Sequence, residues 1–175
     1  MTKGARALRY NGGEKHSFPH HRQEHEKSCG PACLRMLAEW LTEQPQSEYA
    51  WRKDSGWSAD SGLQSERMPD ALSKLPNCTH RPFKRYKRLT SIPPSTVYLL
   101  FTDSYWYDGE NYNHWIVLLH LFNSKDGQVL ALCADPMENA LSVRRWIGLL
   151  ESRVISAFEI QKLNNDPRSK AASPA

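Results

Sequence analysis

Residues 28–42 read Ser28-Cys29-Gly30-Pro31-Ala32-Cys33-Leu34-Arg35-Met36-Leu37-Ala38-Glu39-Trp40-Leu41-Thr42. Cys33, Met36, Leu37, Trp40 and Leu41 recur at three- and four-residue steps, the spacing of one face of an amphipathic helix, and a helix is predicted over 30–42. Pro31 fits the first turn, where its missing N–H costs nothing. A thiol at the threshold of a helix sits where unpaired backbone N–H groups and the helix dipole stabilise a thiolate, so Cys29 is a candidate nucleophile. Gly30 is a candidate substrate-binding residue, its missing side chain leaving space for a substrate backbone beside the sulfur. Cys33 falls on the apolar face and is predicted to be core, as are Cys133 and, on a weaker pattern, Cys78.

Further along, Leu63, Met68, Leu72 and Leu75 repeat the helical spacing more weakly over 62–75, with Pro76-Asn77 as a stop. Three strands are predicted, 96–101, 114–122 and 128–135, each rich in Val, Ile, Leu or aromatic residues. The turn residues 123–127 join the last two as a hairpin. Residues 144–151 read as a helical turn or two and 154–160 as a closing strand. Helices first and sheet afterwards make the fold class α+β.

His114 opens its strand and Asp135 closes the next. Counting from the turn, His114 lies nine residues before Asn123 and Asp135 eight beyond Gly127, so antiparallel pairing sets them side by side at one end of the hairpin. A thiolate needs a proton acceptor, and the acceptor an orienting group; His114 and Asp135 are the candidates. Acyl transfer also needs donors for an oxyanion, and Gln23, six residues ahead of Cys29, carries a suitable amide. The aromatic segment 103–113 precedes the base, so Tyr112, with Trp115, is a candidate for lining a substrate cleft; capping the core is the even alternative for that segment.

The remaining composition sets bounds. A chain of 175 residues suits one domain, read as 18–163 between a flexible arm at 1–17 and a disordered tail at 164–175. No apolar stretch approaches the roughly 20 residues that span a bilayer, and the N-terminus lacks a secretory core, so a cytoplasmic location and no membrane partner are expected. Four cysteines without a signal peptide argue for free thiols. The run from His80 to Arg88 interleaves Arg81, Lys84, Arg85, Lys87 and Arg88 with Phe83 and Tyr86; a solvated loop or edge is expected there rather than a nucleic-acid site. His21, His25, Cys29 and Cys33 recur every four residues, yet on a helix they would stretch over about 18 Å, too far to close one zinc tetrahedron. No metal and no cofactor are expected. Cys-Gly-Pro-Ala-Cys has three residues between its thiols where a redox pair has two.

The motifs Gln23, Ser28 to Met36, His114-Trp115-Ile116-Val117-Leu118-Leu119 and Ala134-Asp135-Pro136 resemble, in order and spacing, the double-glycine leader peptidase domain of bacteriocin-exporting ABC transporters, of the papain-like superfamily. The resemblance implies a papain-like fold with N-terminal helices packed on an antiparallel sheet. It implies a cysteine peptidase in which Gln23 serves the oxyanion hole, Cys29 is the nucleophile, His114 the general base and acid, and Asp135 its orienter. Ser28 stands where the family usually has an acidic or similar polar residue, and Glu39-Trp40-Leu41 where it has a Tyr-Tyr-Gly-like helix end. The expected partner is a protein or peptide substrate, with an inhibitor or immunity protein where the chain is a freestanding effector or toxin delivered into another cell; a peptide-maturation protease is the equal reading. An amidase or acyltransferase using the same triad, and a non-catalytic binding module on the same fold, are the alternatives.

Overall fold

The computed structural model describes residues 18–107, 110–146 and 153–163, without the side chains of Lys87, 104–107 and 110–112. The arm at 1–17 and the tail at 164–175 read from the sequence lie outside the described residues. Three α-helices are described: α1 (Cys29–Thr42), α2 (Glu48–Asp54) and α3 (Met68–Leu72). Six strands follow: β1 (Cys78–Pro82), β2 (Thr96–Tyr107), β3 (Glu110–Asn123), β4 (Val129–Ala134), β5 (Ser142–Arg145) and β6 (Val154–Lys162). They form one antiparallel sheet in the order β1-β6-β2-β3-β4-β5. The α+β expectation and the placing of the sheet after the helices hold.

Helix α1 forms as its spacing predicts, and Cys33, Leu34, Met36, Leu37 and Leu41 are buried against the sheet's front face with Leu99, Trp115, Val117, Leu132 and Phe158. Glu43, in the left-handed region at φ 58°, ends it with its N–H on the Glu39 carbonyl. The segment expected as a helix over 62–75 condenses to α3 behind a 3-10 turn at Ser65–Arg67. Pro69 occupies the first turn of α3, and Met68, Ala71 and Leu72 are buried.

The back of the sheet has its own apolar layer, comprising Tyr98, Leu100, Ile116, Leu118, Cys133, Trp146 and Ala157. The basic run explains itself here. Phe83 and Tyr86, with Leu89 and Ile92, turn inward onto that layer, Phe83 lying 4.8 Å from the Tyr98 ring, while Lys84, Arg85 and Arg88 are exposed. Its aromatics pack partly buried on that layer and Lys84, Arg85 and Arg88 form a solvated face, as expected of an edge; among the described residues β1 pairs only with β6. A helical turn or two is expected over residues 144–151, of which 147–151 lie outside the described residues. Arg144 and Arg145 instead pair with Ala131 and Leu130 as part of β5, a four-residue strand too short for its alternation to show in sequence.

The β3–β4 hairpin turns through 124–128, with Gly127 at φ 74°. Its register shifts between Leu118 and His120, and the last ladder pair is Val117↔Ala134. Asp135 follows that last pair, and the His114 side chain reaches it diagonally rather than straight across. No helix among the described residues is long and apolar enough to cross a membrane.

Candidate active site

Cys29 is the first residue of α1 and Ser28 its N-cap, but the Ser28 side chain does not cap the helix. Its hydroxyl is held elsewhere, against His25 and Glu48, so the first turn keeps its amide groups unclaimed by the cap. Cys29 is partly exposed in a cleft of about 890 Å³ that also has Gln23, Gly62, Leu63 and His114 in its lining. The other thiols are different. Burial pushes Cys33 and Cys78 up, and Cys133 up to about 12, so each is held as a neutral thiol.

His114 is fully buried. Its Nε2 lies 2.8 Å from Asp135 Oδ1, and Cys29, in the lining of the same cleft, is close enough to act on the charge of the ring. The imidazole is therefore coupled to thiol and carboxylate. Burial alone would drive its pKa down, but the hydrogen bond to Asp135 and the charges of Cys29 and Asp135 outweigh it and push the pKa up to about 9. Burial likewise works against an ionised Asp135, which is nonetheless held below the usual carboxylate range by His114, by Arg144 and by the Met137 N–H. Oδ1 accepts from His114 and from Met137 N at 2.9 Å, and Oδ2 from Arg144 Nη2 at 2.5 Å. Thr102 Oγ1 donates to the His114 carbonyl at 3.1 Å and fixes the backbone that carries the ring.

Gln23 enters the same cleft from the segment ahead of α1. Its backbone N–H donates to the Pro136 carbonyl at 2.8 Å, and His20 Nε2 lies 2.9 Å from the Asp135 carbonyl, so this segment is laced to the turn bearing Asp135. The Gln23 amide donates through Nε2 to the carbonyls of His25 and Glu26, at 2.9 and 2.6 Å. An amide has two N–H donors, and here both are engaged within the loop.

The space beside Gly30 is not open to a substrate. A Cβ there would lie 2.8 Å from Leu63 Cβ and 2.9 Å from its Cδ2; Gly30 is buried and makes room for Leu63, not for a ligand. Trp115 too serves from behind. It is 1% exposed, packs at a tilt on Phe101 with ring centroids 4.5 Å apart, and donates from Nε1 to the Leu63 carbonyl at 3.0 Å, holding the cleft wall. Tyr112 pairs with Tyr105 in the β2–β3 ladder, and its side chain lies outside the described ones. Lys27, also in the cleft lining, is pinned by Trp57 Nε1 on its carbonyl and by its own Nζ on the Asp60 carbonyl, both at 2.8 Å.

The four-residue His/Cys repeat does not converge: His21 pairs with Glu39 at 2.7 Å and His25 packs edge-on against Trp57. Among the described residues no three His, Cys, Asp or Glu side chains are grouped as metal ligands. Arg144, His20 and Glu48 were missed from sequence. Each reaches the site from a separate element, and none stands in a motif that marks it.

A strand-borne histidine held by a carboxylate and facing a helix-borne cysteine, on an antiparallel sheet with helices on its front, places the chain in the α+β fold of double-glycine motif peptidase domains. It is similar to a double glycine motif protease from an AMS/PCAT transporter, solved in complex with the leader peptide, with a TM-score of 0.59 at 16% identity over 82% of this chain and 91% of that one. It is similar also to the peptidase domain of Streptococcus ComA, a bi-functional ABC transporter involved in a quorum sensing pathway, with a TM-score of 0.54 at 18% identity over 83% of this chain and 98% of that one. At these identities the likeness is one of fold. No protein-family model matches the chain, and no curated protein matches its sequence.

Proposed function

We propose that the protein is a cysteine peptidase acting on a peptide or protein segment, with Cys29 as nucleophile, His114 as general base and acid, and Asp135 as the residue that orients the imidazole. The observation that carries this reading is the buried His114 ring, hydrogen-bonded to Asp135 through Nε2 and electrostatically coupled to Cys29, at the edge of a cleft. Asp135 fixes the ring's orientation, and His114 takes the thiol proton of Cys29.

Cys29 Sγ attacks the substrate carbonyl carbon, and the resulting oxyanion is held by the backbone N–H of Cys29 and by Gln23. Because both Gln23 amide hydrogens are engaged by loop carbonyls, one of those bonds gives way as the carbonyl enters. His114 then protonates the leaving amine, and water, deprotonated by the same ring, releases the acid from the thioester. The described cleft lining that includes Gly62, Leu63 and Lys27 would receive the substrate backbone.

The test is alkylation by iodoacetamide against pH, with mass spectrometry locating the adduct, alongside cleavage of a peptide library. Labelling confined to Cys29 at neutral pH, slowed by His114→Ala, and cleavage abolished by Cys29→Ala with the fold retained, are expected. Labelling spread over the four cysteines and indifferent to His114 would remove the assignment and favour a binding module on the same fold.

A further inference from the structure

Glu48 is fully buried beneath the loop that joins Gln23 to Cys29, and the reaction described above does not use it. Its Oε2 accepts from the Glu24 N–H at 2.9 Å, and its Oε1 lies 2.6 Å from the Ser28 hydroxyl. That hydroxyl also lies 2.8 Å from the His25 carbonyl and accepts from the His25 N–H at 3.0 Å.

Ser28 has one hydroxyl hydrogen and faces two oxygens at donor distance. Were Glu48 ionised, both would be acceptors only, and one contact would set lone pair against lone pair. The conflict disappears if Glu48 carries the hydrogen: Oε1–H donates to Ser28 Oγ, Ser28 Oγ–H donates to the His25 carbonyl, and Ser28 accepts from Glu48 and from the His25 N–H. Oε2 is then the carbonyl-type oxygen, and it is the one that accepts a backbone N–H. Every group in the chain has its partner.

We propose that Glu48 is a neutral carboxylic acid that positions the loop between Gln23 and Cys29 by donating through Ser28 to the His25 carbonyl. The charged and titratable groups facing it are consistent with this state. Arg52 on α2 keeps its Nε 3.8 Å away, too long for a hydrogen bond, and that buried Nε has no hydrogen-bond partner. The Glu24 carboxylate from the loop disfavours a second negative charge, as does the nearby Cys33 on α1 were it to ionise. Burial is the largest influence and raises the Glu48 carboxyl; the bonds from Ser28 and Glu24 and the charge of Arg52 lower it, and burial prevails.

The proton has a consequence for Gln23. The His25 carbonyl receives the Ser28 N–H at 3.1 Å, the Ser28 hydroxyl and the Gln23 Nε2, three donors on two lone pairs. With the hydroxyl in place the Gln23 bond is the dispensable one, and the amide is released to a substrate at little cost. Loss of the Glu48 proton turns the hydroxyl away and leaves Gln23 as a needed partner of the loop. Glu48 is thus a positioning residue. Its protonation stands on the hydrogen count alone, whereas its effect on turnover rests on the peptidase reading.

Glu48→Gln tests this, because a glutamine offers the same donor and acceptor as the neutral acid and cannot titrate. With glutamate labelled at the side-chain carboxyl carbon, one resonance absent from Glu48→Gln should keep its protonated shift well above the ordinary glutamate range near ~4.3. The folded group then holds its proton more tightly than the unfolded chain, so its contribution is complete in acid and is lost as pH rises through its folded pKa. Thermal midpoints of wild type and Glu48→Gln should therefore diverge with rising pH in favour of Glu48→Gln. An ordinary titration, or a wild type that gains on Glu48→Gln as pH rises, overturns the proposal. In turnover, wild type should show a falling limb over the pH range where that resonance titrates, and Glu48→Gln should lack it; identical profiles overturn the positioning role. Normal Glu48 titration with intact cleavage sinks this inference alone, and a neutral Glu48 without cleavage sinks only the peptidase reading.

Discussion

Arg144→Met removes the arginine bonded to Asp135 while keeping most of the side chain's apolar length. Asp135 is wholly buried and receives hydrogen bonds from His114, the Met137 N–H and Arg144, whose side chain is 18% exposed. Stripping a buried ion of its partner costs about 3–5 kcal/mol when nothing else supports it. Asp135 keeps two of these donors, so the loss is that of one charge-assisted hydrogen bond, about 2 kcal/mol. Asp135 is held below its unfolded pKa, so its stabilising contribution exists above the unfolded value and fades as pH falls through the folded one. The deficit of Arg144→Met should accordingly be largest at neutral pH and shrink in acid. A second sign follows. With the guanidinium gone, the charge of Asp135 acts more fully on His114, so the imidazolium should persist to higher pH than in wild type. Urea denaturation at several pH values gives the first quantity, and the His114 ring resonances the second. Equal stability at neutral pH, or a His114 titration moved downward, would refute the assignment of Arg144 as the counter-ion that sets the Asp135–His114 pair.

Two other outcomes are expected. His114 should titrate near pH 9, and cleavage should fall above that value as the imidazolium that protonates the leaving amine is lost; since its folded pKa is raised, its stabilising contribution is complete below about 6.5 and disappears through about 9, and a ring titrating near 6.5 would remove the basis for the coupled pair. Gly30→Ala should destabilise by about 1–3 kcal/mol by driving a methyl into Leu63, and in a double-mutant cycle with Leu63→Gly the two costs should sum to less than their separate values; a neutral Gly30→Ala would show that the residue faces open space after all.

What the sequence disclosed follows from how far each signal reaches along the chain. Helix α1 and strands β3 and β4 were legible because each repeats its apolar period several times and ends on a residue of distinct chemistry. Helix α2 was not, for Glu48 is its one buried residue and it carries no apolar stripe. Strand β1 hid within the basic run, with an edge strand's largely exposed burial. The juxtaposition of His114 and Asp135 was derived from a turn over 123–127; the hairpin turns through 124–128 instead, which offsets the pairing, yet both residues stay at the same end of the hairpin and meet. Gly30 was misread because a glycine beside a nucleophile looks the same in sequence whether a ligand or a neighbouring loop fills the space. Only the fold brings Leu63, from 33 residues further on, against it.

The residues that chemistry demands and those that hold them are legible to different degrees for one reason. Cys29 opens α1 and Asp135 follows β4, where local patterning exposes them, while His114 opens only the strand legible in sequence, since β3 begins earlier, at Glu110. Their relative placement is decided by a short segment with no pattern of its own: His20 and the Gln23 N–H bind the turn at 135–136, Glu48 binds Ser28 and the Glu24 N–H, and Trp57 binds the Lys27 carbonyl. Helix α1 reaches the sheet through apolar packing, which is non-directional and tolerates small slides. Hydrogen bonds do not tolerate them. The segment ahead of Cys29 therefore converts a helix docked approximately into a thiol docked against one imidazole. Four of its five anchoring contacts engage a backbone group on at least one side, so substitutions within the segment preserve most of them, while loss of Glu48, Trp57 or His20 does not.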